Sequence, residues 1–444
     1  MKLVNVHKLN IILVLFVVGL QSAQAQVWTL QQCIDTALIH NRNLRMSRNT
    51  ISIGEQKVQE AKANLIPKVF ANVDYKYYTN LPYQLMPLST FNPAAAEGQF
   101  KEAQFGVPHN MNATLQLSMP LYNPQIYGAI DIANIGSEVT TLQYLRTEEQ
   151  LFYEISNLYY NAQILHQQLS FIDSNLTNAT RLLRNTQLLK EQQLAKGTDV
   201  IKVQLQIVLL TTQQESIESK YKQILRAVNF TMGKAIELPI EIDPTIHYHD
   251  PEDYRRLSTL DIRITKAQNL LITSEINTLN NSKYLPSVNL IGMFGTTGLG
   301  YDKQPNDFLK FYPIGFAGIQ FSLPLFNGTV TQRKINQKEF ELQNNEIQIE
   351  LLSEQNSMYV QNATMQRMIA LKLFSTSSEQ IKLAQVVYDQ ATLQLSQGTA
   401  SLTDVLLADN SLREAQQTYL TALVDYLKAD LELKKLTGNI SIKN

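Results

Sequence analysis

Met119-Pro120-Leu121-Tyr122-Asn123 recurs in the second half of the chain as Leu323-Pro324-Leu325-Phe326-Asn327. Upstream of each, another proline ends a long polar-apolar stretch, in Leu65-Ile66-Pro67-Lys68-Val69 and in Leu285-Pro286-Ser287-Val288. Downstream, Gly197-Thr198 is answered by Gly398-Thr399, and Met232-Gly233 by Thr437-Gly438. Both halves therefore run helix, Pro, strand, loop, strand, Pro, very long helix, Gly-Thr turn, helix, Gly. A repeated order of this kind constrains architecture before any single residue does. It puts a first repeat over residues 26–240 and a second over 241–444.

The period of the apolar residues supports each segment. Leu30, Ile34, Ala37 and Leu38, then Val58, Ala61 and Leu65, follow helical spacing over residues 29–66, with Thr29 as N-cap. Pro67 ends that helix by removing a donor and restricting Ile66. The period then drops to two. Val69, Ala71, Val73, Tyr75 and Tyr77 alternate with Lys68, Phe70, Asn72, Asp74 and Lys76. Met111, Ala113, Leu115, Leu117 and Met119 alternate with Asn112, Thr114, Gln116 and Ser118. In the second half the spacing predicts a helix over 257–284, strands over 287–294 and 315–325, and a loop over 295–313. Pro67 and Pro120 stand farther apart than Pro286 and Pro324, so the first loop, residues 79–108, is expected to be the longer. No proline interrupts Gln125 to Leu238, and none follows Pro324. A helix of roughly 70 residues is about 100 Å long. Aligning Asp199-Val200 with Asp404-Val405 keeps the distal glycines in register, and the second Gly-Thr turn then carries four extra residues, Ala400 to Thr403.

Residues 1–25 read as a signal peptide, with Lys2 and Lys8, an apolar run from Ile11 to Leu20, and Ala23-Gln24-Ala25 as the cleavage site. No later stretch is apolar for about 18 residues, which excludes helical membrane spans but not strand-built ones. The net charge is −1 and 17% of residues are charged, with no basic stripe of the kind nucleic acid needs. Cys33 is the single cysteine, so no internal disulfide forms. His247-Tyr248-His249 with Asp250 and Asp253 is the one metal-like cluster, and its place between Pro244 and Pro251 reads as a surface linker. No phosphate loop and no nucleophile constellation is found. No catalytic, cofactor-binding or metal residue is assigned, and an enzyme is not expected.

Open sheet edges leave backbone groups unsatisfied in hydrocarbon. Four strands per chain cannot close a transmembrane barrel, since barrels begin at about eight. Several copies must pool strands, and three would give twelve. Tyr75, Tyr77 and Tyr78, then Tyr122, Tyr127 and Phe326, sit near strand ends, as interface aromatics do. Packing in a soluble core is the other reading of these rings.

On these residues, and on Gly398-Thr-Ala-Ser-Leu-Thr-Asp-Val-Leu-Leu-Ala408, essentially all of the chain after the signal peptide resembles the TolC-like outer-membrane efflux proteins. The resemblance implies a mainly α fold with a small β membrane part. It implies a homotrimer whose twelve-stranded β-barrel sits in outer-membrane lipid and continues as a periplasmic α-helical tunnel. A periplasmic adaptor protein and an inner-membrane pump are the implied partners, in a tripartite efflux or type I export system. It also implies that Gly197, Thr198, Asp199, Gly398 and Thr399 lie near a periplasmic tip, with Asp404 at an acidic gate position. The family's second acidic position falls on Leu407, and Asp409 lies nearby on a different helical face. Asp404 has an alternative role as a turn-capping or solvent-facing residue, and Asp199 as a helix N-cap. Lys196, Lys202 and Arg413 are candidates to pair with these acids across neighbouring hairpins. A periplasmic coiled-coil adaptor or scaffold without a pore is the competing function. It has no need of duplicated strand pairs.

Overall fold

The computed structural model describes residues 27–246, 253–302 and 308–440. The expected signal peptide and the His247 to Asp250 motif lie outside them. The described chain divides into two compact units, and each draws segments from both halves of the sequence.

The helical unit takes in residues up to 51, 141–265 and from 348 onward. Its elements begin with β1 (Val27–Trp28) and α1 (Leu30–His40), and α2 (Arg42–Ala63) starts here. Thr29 caps α1 through a capping box with Gln32, as the sequence indicates. The expected single helix over 29–66 is in fact broken at Asn41. That residue leaves helical geometry at ψ 129°, and its side-chain oxygen accepts from Leu44 N–H at 3.0 Å. Its amide donates to Thr231 O at 2.8 Å. One asparagine thus caps α2 and ties it to the end of α4 (Gly197–Thr231). Gly233 fits against this break with φ 76°; a Cβ there would stand 2.3 Å from His40 O.

Two long helices, α3 (Pro124–Glu191) and α6 (Val330–Ser396), hold 68 and 67 residues. Each is followed by a 35-residue helix, α4 and α7 (Leu402–Leu436). The core near the N-terminus packs Cys33, Ile34, Leu44, Leu151, Ile155, Val228 and Met232 together with Ile240 and Ile242. Each buried aliphatic side chain contributes about 1.5–3 kcal/mol. Burial pushes the Cys33 thiol up to about 12, although Lys234 draws it down. β1 pairs in parallel with β6 (Glu241–Ile242), and Tyr159 Oη donates to Trp28 O at 2.9 Å. The segment after residue 27 is therefore strapped to the segment that follows α4.

The sheet-bearing unit, residues 52–140 and 266–347, holds β2 (Lys68–Tyr77), β3 (Tyr83–Pro87), β4 (Phe100–Gln104), β5 (His109–Tyr122), α5 (Leu260–Tyr284) in large part, β7 (Ser287–Gly300) and β8 (Lys310–Ser322). The main sheet is antiparallel throughout, in the order β2-β5-β7-β8. β7 and β8 run farther than expected. Gly295–Gly300 and Lys310–Ile314 are strand, because β5 supplies a continuous hydrogen-bonding partner that overrides the weak strand preference of Gly295 and Gly298, and the extended β7 in turn pairs Lys310–Ile314. The first loop is the longer, as expected, and contains the β3-β4 hairpin.

Candidate functional site

The turns that join each long helix to its 35-residue partner have the same geometry. After α6, Gly398 takes φ 74°, its N–H donates to Leu395 O at 3.1 Å, and Thr399 N–H donates to Gln394 O at 2.9 Å. After α3, Gln193 takes φ 59°, its N–H donates to Lys190 O at 2.9 Å, and Leu194 N–H donates to Leu189 O at 2.8 Å. Both are left-handed helix C-caps. The counterpart of Gly398 is therefore Gln193, not Gly197. Gly197 and Thr198 are the first residues of α4, beside Leu402 and Thr403 in α7. The four-residue insertion expected in the second turn does not exist. The shared Gly-Thr dipeptide is coincidental, and the capping residues set the true register.

Asp199 and Asp404 are equivalent, each the third residue of its helix. Ser401 caps α7: its amide and hydroxyl donate to Asp404 Oδ2 at 2.8 and 2.7 Å, and Asp404 N–H donates back to Ser401 Oγ at 3.3 Å. The Ser401 hydroxyl first, then its amide, hold the exposed Asp404 carboxyl below its ordinary range. Asp199 accepts from Lys196 N–H at 3.3 Å and is not itself the N-cap, because Lys196 holds that position. Lys202 Nζ stands 3.3 Å from Asp199 within the same helix.

Asp409 is only 3% exposed. Gln206 Nε2 of α4 donates to its Oδ2, and Arg413 Nε lies 2.9 Å from the same oxygen. Burial pushes the Asp409 carboxyl up, against the pull of Arg413 and Gln206. Asp409 thus joins α4 to α7. Its ion pair, like that of Asp199, lies within one helix rather than across neighbouring hairpins. Val203, Leu402, Val405 and Leu412 pack with Leu182 and Tyr388 to hold the four helices together here. Nothing in the sequence singles out Gln206, since an uncharged residue in a Gln-rich helix gives no signal.

In the sheet-bearing unit the strand register sorts side chains onto two faces. Val69, Leu117, Gly292 and Ala317 share one rung; Ala71, Leu115, Phe294 and Gly315 share the next. Tyr75 and Phe311 lie on this apolar face toward one end, with Met111 and Gly298 between them. Tyr122, Val288 and Phe321 lie toward the other end, past a register shift at Pro120. Val69, Val73, Leu115, Phe294 and Ile319 are each more than half exposed in the chain. The opposite face carries Asn72, Thr114, Asn112 and Gln116. Tyr75 and Tyr77 surround His109, with Tyr75 Oη 2.6 Å from Nδ1. Tyr127 packs on Tyr122 with centroids 5.9 Å apart, and Phe326 is 84% exposed.

Among the described residues, no group of three or more His, Cys, Asp or Glu is placed to hold a metal. No described helix is long and apolar enough to cross a membrane. The profile of the outer membrane efflux protein family matches residues 33–234 and 274–439. Outer membrane protein TolC of Escherichia coli is 21% identical over 444 residues, covering 95% of this chain and 84% of the relative. The alkaline protease secretion protein AprF of Pseudomonas aeruginosa is 21% identical over 355 residues, covering 73% and 69%. The outer membrane protein VceC of Vibrio cholerae superposes with a TM-score of 0.71 at 15% identity, over 92% of this chain and 96% of that one. With well over half of its residues inside the family match, this chain belongs to the outer membrane efflux proteins, as an outer-membrane channel for efflux or type I secretion.

Proposed function

We propose that three copies of the chain close one barrel and one tunnel, and that this conduit passes cargo from an inner-membrane pump, through a periplasmic adaptor, to the outside. The observation that carries the reading is the sheet. Its apolar face is exposed, and its outer strands β2 and β8 each pair on one side only among the described residues. Unpaired edges of this kind are not stable in hydrocarbon. Joining β8 of one copy to β2 of the next satisfies both and gives twelve strands. From Phe311 to Phe321 is roughly ten residues at about 3.4 Å; at about 40° tilt this spans about 26 Å, near the ~25 Å of an outer-membrane apolar band. Tyr75 and Tyr77 then mark one interface, and Tyr122, with Tyr127 and Phe326 beyond it, the other.

The helical unit supports the same closure. Ile201, Leu205, Val208 and Leu209 form an exposed apolar stripe on α4, and Met365, Met368, Ile369 and Leu373 form another on α6. Both stripes are available to neighbouring copies. At the tip, Asp404 has no basic partner among the described residues, so three copies bring three carboxylates together as a gate that attracts cations. Asp199, screened by Lys202, is the weaker member. Asp409 serves the packing of the tip. Residues 1–25 are removed on export, and the chain performs no catalysis of its own.

The test is purification of the mature protein from envelopes. It should stay in the outer-membrane fraction through salt and carbonate washing, run as a trimer in mild detergent and conduct in planar bilayers. Asp404→Ala should raise conductance or weaken block by multivalent cations. A water-soluble monomer without bilayer activity would return the scaffold reading.

A further inference from the structure

The strands of the main sheet contain four charged residues: Lys68, Asp74 and Lys76 in β2, and Lys310 in β8. β5 and β7 contain no Lys, Arg, Asp or Glu. All four charges lie on the polar face. Lys76 and Lys310 are the outer members of one rung, with Asn110 and Leu299 between them, and Lys68 belongs to the rung of Ser118, Ile291 and Gly318 at the opposite end. In a closed barrel this face lines the water-filled lumen, because the other face must meet lipid.

The charges do not cancel. Asp74 is shared between Lys76, whose Nζ is 3.6 Å away, and Asn112, which donates to it at 3.2 Å. That leaves Lys68 and Lys310. Lys68 Nζ donates to Asn64 Oδ1 at 3.0 Å, and Lys310 Nζ stands 5.9 Å from the Tyr312 ring. These contacts orient the ammonium groups without neutralising them. Glu97, Lys101, Glu102 and Asp302 are outside the main-sheet strands, in the connecting segments, and Asp302 is bound to His109.

We propose that the outer-membrane segment of this channel sorts cargo by charge, with Lys68 and Lys310 forming two basic rings that favour anions such as carboxylate- or phosphate-bearing solutes. The proposal rests on the trimeric barrel described above. Basic rings select anions in pores by the same attraction that acidic rings exert on cations. The helical hairpin at Asp404 and the barrel would then have opposite preferences, acidic in the first and basic in the second.

The experiment is the reversal potential of the mature trimer in planar bilayers under a dilute KCl gradient, where charges are least screened. Lys68→Gln and Lys310→Gln, and more so the double variant, should shift the reversal potential toward the potassium value. Asp74→Asn, which releases Lys76, should shift it toward the chloride value. Lys68→Arg should keep the parent value, which separates charge from folding. Conducting variants whose reversal potential does not move overturn the charge-sorting proposal and leave the barrel intact. Absence of conductance from the unsubstituted protein overturns the barrel and the sorting together.

Discussion

In the first hairpin Asp199 is paired with Lys202; in the second, the matching Asp404 has Leu407 where that lysine would stand. The turn residues differ in the same way. The left-handed position is held by Gln193 in the first hairpin and by Gly398 in the second. Beyond the turn, buried Asp409 in α7 matches exposed Gln204 in α4. One backbone template thus supports two electrostatic tasks. The first tip is internally neutralised and strained. The second is relaxed, with one acid held at its surface by the Ser401 cap and another locked inside.

The largest break in this comparison should come from Asp409→Ala, which leaves Gln206 and Arg413 without their shared acceptor. Removing one partner of a buried pair costs roughly 3 kcal/mol, and partial exposure of Arg413 puts this case toward the lower end. The matching Gln204→Ala should leave thermal stability unchanged. Asp409→Asn is expected to behave differently. Because burial raises the folded carboxyl above its unfolded value, its contribution is fully present below the unfolded pKa and is lost as pH rises through the folded one. The Asn variant should flatten that decline in a Tm-against-pH series. Asp404 has the opposite sign: its contribution is present above the unfolded pKa and fades as pH falls through its lowered folded value.

Next in size is the left-handed cap. Gly398→Ala should destabilise the second hairpin by about 1–2 kcal/mol, whereas Gln193→Gly should stabilise the first by a similar amount. Limited proteolysis at the tips reads both, and equal responses would erase the distinction drawn here. Ser401→Ala removes the α7 cap and should cost about 1 kcal/mol. Smallest is Lys202→Gln, an exposed pair worth less than about 0.5 kcal/mol. Its use is electrical: it should make the first tip bind cations more like the second.

The prolines made most of the architecture legible. Pro67, Pro286 and Pro324 mark helix and strand boundaries, because proline cannot continue a hydrogen-bonded ladder, and Pro120 marks the register shift within β5. The period-two runs beside them were read correctly onto faces. The Gly-Thr dipeptides share residue identity without sharing register, because the caps at Lys196 and Ser401 set the phase. The break at Asn41 was hidden because asparagine is only mildly unfavourable within a helix, and its partner Thr231 is remote in sequence. The extension of β7 through Gly295 and Gly298 depends on β5, so no local pattern announces it. The acids at the tip were legible as residue types, but their division into surface and interior depended on Gln206 and Lys202.

Cys33 gives this protein an experimental convenience. Its sulfur is wholly enclosed and its proton is held up to about 12, so alkylating reagents and oxidants find almost no thiolate to attack. A cysteine engineered at any exposed position would thus be the sole reactive thiol in each chain. Spin labels, fluorophores and cross-linkers could be installed on the native background, with the resident thiol left where packing requires it.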